Sequence, residues 1–172
     1  MTLPLVRSRV DSGVDQVELL KLMYQSREGD RREGILHRQS KGWFQVAGIG
    51  HETMAAVAML MQPEDYLVPY YRDRAMILAR GVSNYDLALA YFAKRDSSSR
   101  GRQMPGHYSS KAHRIWSVAT PTGINALPAC GIAWSLQLKH ESGIVVTTIG
   151  DAAVRQGNST KRYVLLSNEI FR

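Results

Sequence analysis

Hydrophobic and polar positions follow a helical period over the first part of the chain. Over residues 14–39, apolar side chains recur three or four positions apart, which predicts an amphipathic helix. Gly29 and Gly34 interrupt the pattern, so two shorter helices are the alternative interpretation. The apolar stripe of this region consists of Val14, Val17, Leu20, Met23 and Tyr24.

Four more helices are predicted, each from its apolar spacing or from its terminal residues. A helix beginning at Glu52 is small and apolar on nearly all sides, which indicates a buried position. The other three cover residues 72–80, closed by Gly81, residues 83–94, capped by Ser83, and residues 124–140. In the last of these, small side chains favour close packing on a sheet: Ala126, Ala129, Gly131 and Ala133.

Two segments have the composition of strands. Residues 66–71, YLVPYY, indicate a short strand or an extended segment, and residues 143–150, GIVVTTIG, are typical of a central strand buried on both faces. Residues 95–115 are rich in Ser, Gly and Arg without periodicity, which predicts a long loop of the kind that is functional or disordered. The alternation of helices and strands predicts an α/β domain.

Length and cysteine content narrow the class of protein. The chain has 172 residues, 44% of them hydrophobic, which is enough for one domain with a substantial core. The single cysteine, Cys130, excludes an intramolecular disulfide and a zinc site of several cysteines, and it favours a reducing, cytoplasmic setting. Apolar runs fall short of the roughly 18 residues of a membrane span, and the N-terminus lacks the apolar core of a secretory signal, although a short transit peptide stays conceivable.

The formal charge of +7 raises the question of nucleic-acid binding. The basic residues are spread along the chain, and they are not combined with aromatic residues in a recognised nucleic-acid motif. A basic face for phosphate-bearing ligands or for an acidic partner is the favoured interpretation. We therefore expect neither a nucleic-acid partner nor a membrane.

Asp151 is a candidate metal ligand because of its place after the second predicted strand. Ligands of open α/β sheets bind at the carboxyl ends of strands, and a carboxylate there can hold Mg²⁺ beside phosphate oxygens. The residue pattern alone favours a different role, in which Asp151 caps the next helix.

Other polar residues have the same two interpretations. Arg72 suits bidentate phosphate binding, with a hydrogen bond added by Tyr71, but an arginine at a helix start is usually solvated. Thr120 and Thr122 could cap a helix or bind an anion. His107 is expected at the surface. Three further residues are too isolated in sequence to be argued as metal ligands: His51, Glu52 and His113. The tryptophans are expected in the core or at an interface: Trp43, Trp116 and Trp134.

Four segments, taken together and in order, carry a family resemblance. They are GHETMAAVAMLMQPEDYLVPYYRDRAMILARGVS, GRQMPGHYSS, ATPTGINALPACGIA and TTIGDAAVRQG. The set resembles the alpha subunit of thiamine-diphosphate-dependent 2-oxoacid dehydrogenases, the decarboxylating first component. GRQMPGHYS favours the branched-chain 2-oxoacid (2-oxoisovalerate) type, with pyruvate or acetoin as alternative substrates. The resemblance implies the N-terminal portion of a thiamin-diphosphate-binding fold, a parallel sheet flanked by helices.

The resemblance also implies roles for particular residues. Tyr71 and Arg72 match the pair that grips the cofactor's diphosphate, and Thr120 and Thr122 match a polar segment lining the cofactor site. Asp151 matches the acidic Mg²⁺ ligand. Ala152 and Ala153 follow it within the cofactor-binding motif, Ala152 in place of the family's usual second glycine. No residue is assigned as catalytic, and His107 is a weaker candidate for the active-site channel.

The partners implied are those of the family. The reaction is the decarboxylation of a small 2-oxoacid with acyl transfer to a lipoyl group of the acyltransferase component. A beta subunit would complete an alpha-beta heterotetramer and supply the activating glutamate, so this chain alone is expected to be inactive. The alternative is an inactive fragment or an interaction module.

The last residues depart from the family pattern. The resemblance covers residues 15–157, after an N-terminal extension of residues 1–14, and ends before the family's paired asparagine, the second Mg²⁺ ligand. After Gly157 the family has a helix of the type EFYEA, whereas this chain has NSTKRYVLLSNEIFR. One added base converts a possible coding string for this segment into EFYEAVCFAIQRNFP. Residues 158–172 are therefore expected to be a frameshift product that truncates the subunit, a genuine alternative tail being the other possibility.

Overall fold

The structure, a computed structural model, describes residues 13–157. The predictions on residues 1–12 and 158–172 lie outside this range. Within it the chain forms α-helices α1 to α5, strands β1 and β2 and two short 3₁₀ segments. In chain order they are α1 (Gln16–Arg38), a 3₁₀ segment (Glu52–Met54), α2 (Ala55–Leu60), β1 (Tyr66–Val68), α3 (Arg74–Ala79), α4 (Asn84–Tyr91), α5 (Ala126–Leu138), β2 (Val145–Thr147) and a second 3₁₀ segment (Ala152–Arg155).

Helix α1 is continuous through both of its glycines. A side chain at Gly29 would overlap the guanidinium of Arg74, and one at Gly34 would press on the Gln45 amide. The glycines therefore allow neighbouring side chains to approach α1 closely, and they do not divide it.

The apolar stripe expected to bury α1 is largely exposed. Val17, Leu20 and Tyr24 are 63%, 66% and 69% accessible, and the buried side of the helix carries Asp30 and Glu33 instead. Helix α1 therefore buries acidic residues and leaves most of its apolar stripe exposed. Burial of the acidic face is possible because a cation from another helix pairs with it.

That cation is Arg74, at the start of α3. Its Nη1 donates to Glu33 Oε1 at 2.7 Å and to Asp30 Oδ1 at 3.4 Å, and its Nη2 donates to Asn84 Oδ1 at 2.8 Å. Burial raises the pKa of both carboxyls, and the Arg74 charge opposes the rise. The cluster joins α1, α3 and α4.

The sheet is parallel, as expected for an α/β protein, and β1 is its inner strand. Leu67 pairs with Val146 of β2 on one edge. On the other edge, Leu67 donates to the Arg114 carbonyl at 3.0 Å and accepts from the Trp116 amide at 2.8 Å. The predicted long loop thus contributes a third row to the sheet.

Strand β2 differs from its prediction. It was expected to be central and buried on both faces, yet all three of its residues are half-buried. Strand β1 lies along one edge of β2. Among residues 13–157, nothing pairs with the other edge, which accounts for the exposure.

The core lies between α2, α3, α4 and the sheet. Its buried residues are Ala58, Leu67, Met76, Ile77, Leu78, Leu87, Ala90, Tyr108 and Ile115. The three tryptophans are not in it, since Trp43, Trp116 and Trp134 are 80%, 45% and 50% exposed. Of the small residues of α5, Ala126 and Ala129 are buried, but Gly131 is exposed and has open space around it.

The predicted helices from Glu52 onward are present, with shorter bounds. The first is divided between the 3₁₀ segment and α2, and α4 ends at Tyr91. Ser83 caps α4 in a capping box with Asp86, as its sequence position predicted. None of the helices within residues 13–157 is long and apolar enough to cross a membrane.

Candidate functional site

A cavity of about 680 Å³ opens at the carboxyl ends of β1 and β2. Its size is within the roughly 300–1,000 Å³ of ligand pockets, and its place is the one that α/β proteins use for ligands. The segments after the two strands meet there with residues from before α2 and α5. The lining consists of His51, Met54, Tyr70, Tyr71, Arg72, Asp73, Thr122, Thr147, Thr148, Ile149, Gly150, Asp151, Ala152 and Ala153.

Tyr71 and Arg72 occupy the middle of a tight turn that follows β1. The Asp73 amide donates to the Tyr70 carbonyl at 3.1 Å, and the Tyr70 amide donates back to Asp73 Oδ2 at 2.7 Å. The turn is therefore closed at both ends by Asp73. Because its backbone is fixed in this way, it presents Tyr71 and Arg72 together at the cavity.

The Arg72 side chain is exposed, yet it is held in place at the cavity. Its Nη1 donates to the Ala47 carbonyl at 2.7 Å, and its guanidinium carbon lies 5.3 Å from the centre of the Tyr71 ring. The backbone at Gly48 packs against the Arg72 carbonyl so closely that a side chain at that position would collide with it. The remaining guanidinium donors are available to an anion in the cavity.

Hydroxyl groups line the cavity beside this turn. Burial raises the pKa of Tyr70 to about 12, helped by a hydrogen bond with Tyr71 and opposed by one with Thr122. The Tyr70 hydroxyl therefore stays protonated at neutral pH. The hydroxyls of Tyr70, Tyr71 and Thr122 are groups of the kind that hydrogen-bond to phosphate oxygens.

Thr120, the second predicted threonine, is exposed and does not line the cavity. The turn that carries both threonines is fixed by Asn125, which is buried. The side-chain Nδ2 of Asn125 donates to the Pro69 carbonyl at 2.8 Å, and its side-chain Oδ1 accepts from the Ala119 amide at 3.4 Å. No local sequence signal indicates this role, because Asn125 occupies an ordinary position at the start of a helix.

Asp151 also lines the cavity, directly before the second 3₁₀ segment. Its carboxylate makes no capping hydrogen bond to that segment. The alternative interpretation of Asp151 as a helix cap is therefore wrong, and its carboxylate is free of that bond. Among the described residues, no cluster of three or more His, Cys, Asp or Glu side chains could hold a metal by itself.

Sequence reasoning missed Asp73 and Thr148. Asp73 is 5% exposed, and Thr148 Oγ1 donates to its Oδ2. Burial raises the pKa of Asp73, while the bonds from Thr148 and from the Tyr70 amide, together with nearby His51, oppose the rise. An aspartate directly before a helix is normally interpreted as a helix cap. The contact of Asp73 with the end of the other strand was therefore not predicted from the sequence.

His107 is buried, contrary to its expected surface position. It is 4% exposed, its ring stacks on Tyr71 with centroids 6.3 Å apart, and its Nδ1 lies 3.1 Å from the Pro105 carbonyl. The turn at Gly106, whose φ is +82°, packs against the Tyr71 backbone and brings His107 inward. His107 thus lies behind the cavity wall and is not part of the lining.

Charge in the cavity is unbalanced in a way that bears on its ligand. Among the described lining residues, Arg72 is the one guanidinium, and Asp73 and Asp151 are carboxylates. A polyanion alone would meet more negative than positive charge. A phosphate-bearing ligand accompanied by a cation fits these residues, because the cation would offset the excess negative charge.

The fold and the cavity define an α/β protein with a ligand-sized cavity at the ends of parallel strands, where proteins of this class bind their ligands. Comparison with known proteins makes this class specific. Residues 20–163 match the family model described as dehydrogenase E1 component, and the chain belongs to that family. The match passes Gly157, and the proposed boundary there stays a prediction.

Individual relatives are consistent with this assignment. The chain is 33% identical over 147 residues to the 2-oxoisovalerate dehydrogenase subunit alpha of Bacillus subtilis (strain 168), covering 84% of this chain and 44% of that one. It is 30% identical over 122 residues to the mitochondrial 2-oxoisovalerate dehydrogenase subunit alpha 1 of Arabidopsis thaliana, covering 70% and 26%. It is 27% identical over 142 residues to the pyruvate dehydrogenase E1 component subunit alpha of Bacillus cereus, covering 82% and 36%. The chain spans less than half the length of each.

Proposed function

We propose that this chain supplies the diphosphate- and Mg²⁺-binding side of a thiamine diphosphate site in a branched-chain 2-oxoacid dehydrogenase. The observation that carries the proposal is the joint presence of Arg72, Tyr71 and Asp151 in the lining of one cavity at the strand ends. Family membership and the similarity to 2-oxoisovalerate dehydrogenase alpha subunits support the choice of cofactor and substrate class.

In this proposal each side of the cavity has a separate role. Arg72 pairs with diphosphate oxygens through its free guanidinium donors, and the hydroxyls of Tyr71 and Thr122 add hydrogen bonds. Asp151 would hold Mg²⁺ through a carboxylate oxygen, and the cation would offset the negative charge of the diphosphate. The backbone at Ala152 and Ala153 lines the same side and would lie beside the diphosphate. Thr120 has no contact role here, because it lies outside the lining.

The reaction proposed is the oxidative decarboxylation of a branched-chain 2-oxoacid with acyl transfer to lipoyl groups. When bound, thiamine diphosphate supplies the electron-accepting ring that this chemistry needs. Residues of this chain hold and orient it. The proposed partners are a beta subunit, which completes an alpha-beta heterotetramer, and the lipoyl acyltransferase component, in the cytoplasm.

Ligand binding to the 172-residue chain tests the diphosphate half of this proposal. Calorimetric titrations would compare thiamine diphosphate, inorganic diphosphate and thiamine, each with Mg²⁺ present. Arg72→Ala should weaken the two diphosphate ligands about tenfold or more, since it removes a charge-assisted pair, and leave thiamine unchanged. Arg95→Ala, at an exposed position outside the cavity lining, is the matched control.

Two results would contradict the proposal. One is equal binding of the three ligands to the wild-type chain, and the other is unchanged diphosphate binding by Arg72→Ala. A chain that binds a beta subunit but none of these ligands would support the alternative of an interaction module.

A further inference from the structure

Asp73 occupies a position at which an aspartate ordinarily caps a helix. It directly precedes α3, yet its carboxylate makes no capping bond to that helix. The side chain turns back instead, toward the ends of both strands. This departure needs a physical explanation, because the stabilisation that an aspartate cap gives a helix is absent here.

The carboxylate of Asp73 joins two segments that are distant in sequence. Its Oδ2 accepts the Tyr70 amide at 2.7 Å and also accepts the Thr148 hydroxyl. The Tyr70 amide lies 3.1 Å from Thr148 Oγ1 as well, which closes a triangle of contacts. Tyr70 begins the turn that carries Arg72, and Thr148 begins the segment that leads to Asp151.

This triangle lies in the wall of the cavity, and the carboxylate at its centre belongs to a buried residue. Asp73 is 5% exposed, and both of its partners are neutral donors. Burial of a carboxylate without an ion pair carries a large desolvation free energy, so fold stability alone does not explain this contact. The contact does, however, fix the distance between the two strand ends.

We propose that Asp73 is a positioning residue that sets the separation between the Arg72 turn and the Asp151 segment. The inference rests on the proposed function, because it assigns the two segments to the two halves of one cofactor site. Each half binds part of the same Mg²⁺–diphosphate unit. A fixed separation therefore allows both halves to bind without reorganisation.

The contact requires an acceptor oxygen at residue 73 and a hydroxyl donor at residue 148. Asp73→Asn keeps an acceptor, and Thr148→Ser keeps a hydroxyl. Asp73→Ala and Thr148→Val each remove one side of the contact. These four variants separate the contact itself from the charge and bulk of the side chains.

The test is calorimetric titration of thiamine diphosphate into the wild-type chain and the four variants, with Mg²⁺ present. Far-UV circular dichroism would confirm that each variant is folded. Asp73→Ala and Thr148→Val should weaken binding about tenfold, since each removes a buried hydrogen bond to a charged group. Asp73→Asn and Thr148→Ser should stay within about threefold of wild type, and the double variant Asp73→Ala/Thr148→Val should be no weaker than either single variant.

The outcomes distinguish this inference from the function on which it rests. If the wild-type chain does not bind thiamine diphosphate, the proposed function fails and the inference with it. If the wild type binds and Thr148→Val binds equally well, the positioning role alone is overturned. Loss of binding in folded Asp73→Asn equal to that in Asp73→Ala would also overturn it. If Asp73→Ala does not fold, the Thr148→Val and Thr148→Ser pair decides.

Discussion

The side-chain amide of Asn125 donates a 2.8 Å hydrogen bond to the carbonyl of Pro69. This bond joins the turn before α5 to the residue that follows β1. The two groups are 56 positions apart in sequence, and Asn125 is 5% exposed. Three segments of the cavity wall, before α5 and after each strand, are thus tied together by buried polar side chains.

Asn125→Ala is expected to destabilise the folded chain by about 1–3 kcal/mol, because it leaves the buried Pro69 carbonyl without this donor. Urea unfolding monitored by tryptophan fluorescence would measure the change. Gln137→Ala, at an exposed position on α5, is the control and should be near neutral. Equal midpoints for the two variants would show that the Asn125 bond does not hold the turn.

Arg74→Met is expected to destabilise the fold by about 3–5 kcal/mol, because Asp30 and Glu33 would be left buried without their cation. The pKa of both carboxyls, already raised by burial, would rise further. A carboxyl with a raised folded pKa favours folding when protonated, so the variant should regain stability as the pH falls from 7 toward 5.

Urea midpoints of Arg74→Met and the wild type at pH 7 and pH 5 would check this prediction. Arg31→Met, in which an exposed arginine of α1 is changed, is the matched control. A loss of stability in Arg74→Met that does not depend on pH would contradict the assigned cluster.

The acidic side of the stability profile should depend on Glu52. A hydrogen bond from Arg27 lowers the pKa of Glu52 from 4.5 to about 2. A carboxyl with a lowered folded pKa contributes stability above its ordinary pKa, and that contribution is lost as the pH falls from about 4.5 toward 2. Thermal unfolding of Glu52→Gln should therefore be less sensitive to pH in this interval than that of the wild type. Parallel melting curves for the two proteins would contradict the role of this pair.

Ala152→Gly is expected to tighten the binding of thiamine diphosphate with Mg²⁺. Ala152 lies in the cavity lining at the position where the family motif has glycine, and its methyl group limits how closely a diphosphate approaches the backbone. Calorimetry should show affinity several-fold higher, with a small loss of thermal stability from the added backbone freedom. Ala119→Gly, outside the lining, is the control. Unchanged or weaker binding would mean that the methyl group is accommodated.

Residues 158–172 are predicted to be read in a shifted frame. Resequencing the gene through the Gly157 codon would check this directly. The expected result is one additional base after the Gly157 codon, which restores a reading frame that encodes EFYEA. An unchanged nucleotide sequence would establish residues 158–172 as native, and the frameshift hypothesis would be dropped.

The sequence indicated residues of the cavity lining where a family motif falls directly after a strand or before a helix. The structure brings four such residues into one cavity: Tyr71, Arg72, Thr122 and Asp151. The α/β class likewise followed from alternating helices and strands. Thr120 was not separable from Thr122, because both lie in the same short turn.

The sequence was uninformative where a contact depends on a distant partner. Arg74 and Asp30 are 44 positions apart, and Asp73 and Thr148 are 75 apart. No spacing rule connects such pairs, and each residue alone has an ordinary local interpretation. The exposed apolar stripe of α1 has the same origin, since the buried acidic face depends on Arg74 for its stability.

The most direct test of the proposed cofactor site is the metal dependence of thiamine diphosphate binding in the wild-type chain and in Asp151→Ala. Titrations with Mg²⁺ and with EDTA would be compared for both proteins, with Asp96→Ala, at an exposed position outside the lining, as the control. We expect Mg²⁺ to strengthen binding to the wild type and to Asp96→Ala by about tenfold or more, the size of roughly one charge-assisted contact, and we expect Asp151→Ala to lose this effect. Binding that is indifferent to Mg²⁺ in the wild type, or an Mg²⁺ effect that survives in Asp151→Ala, would contradict it.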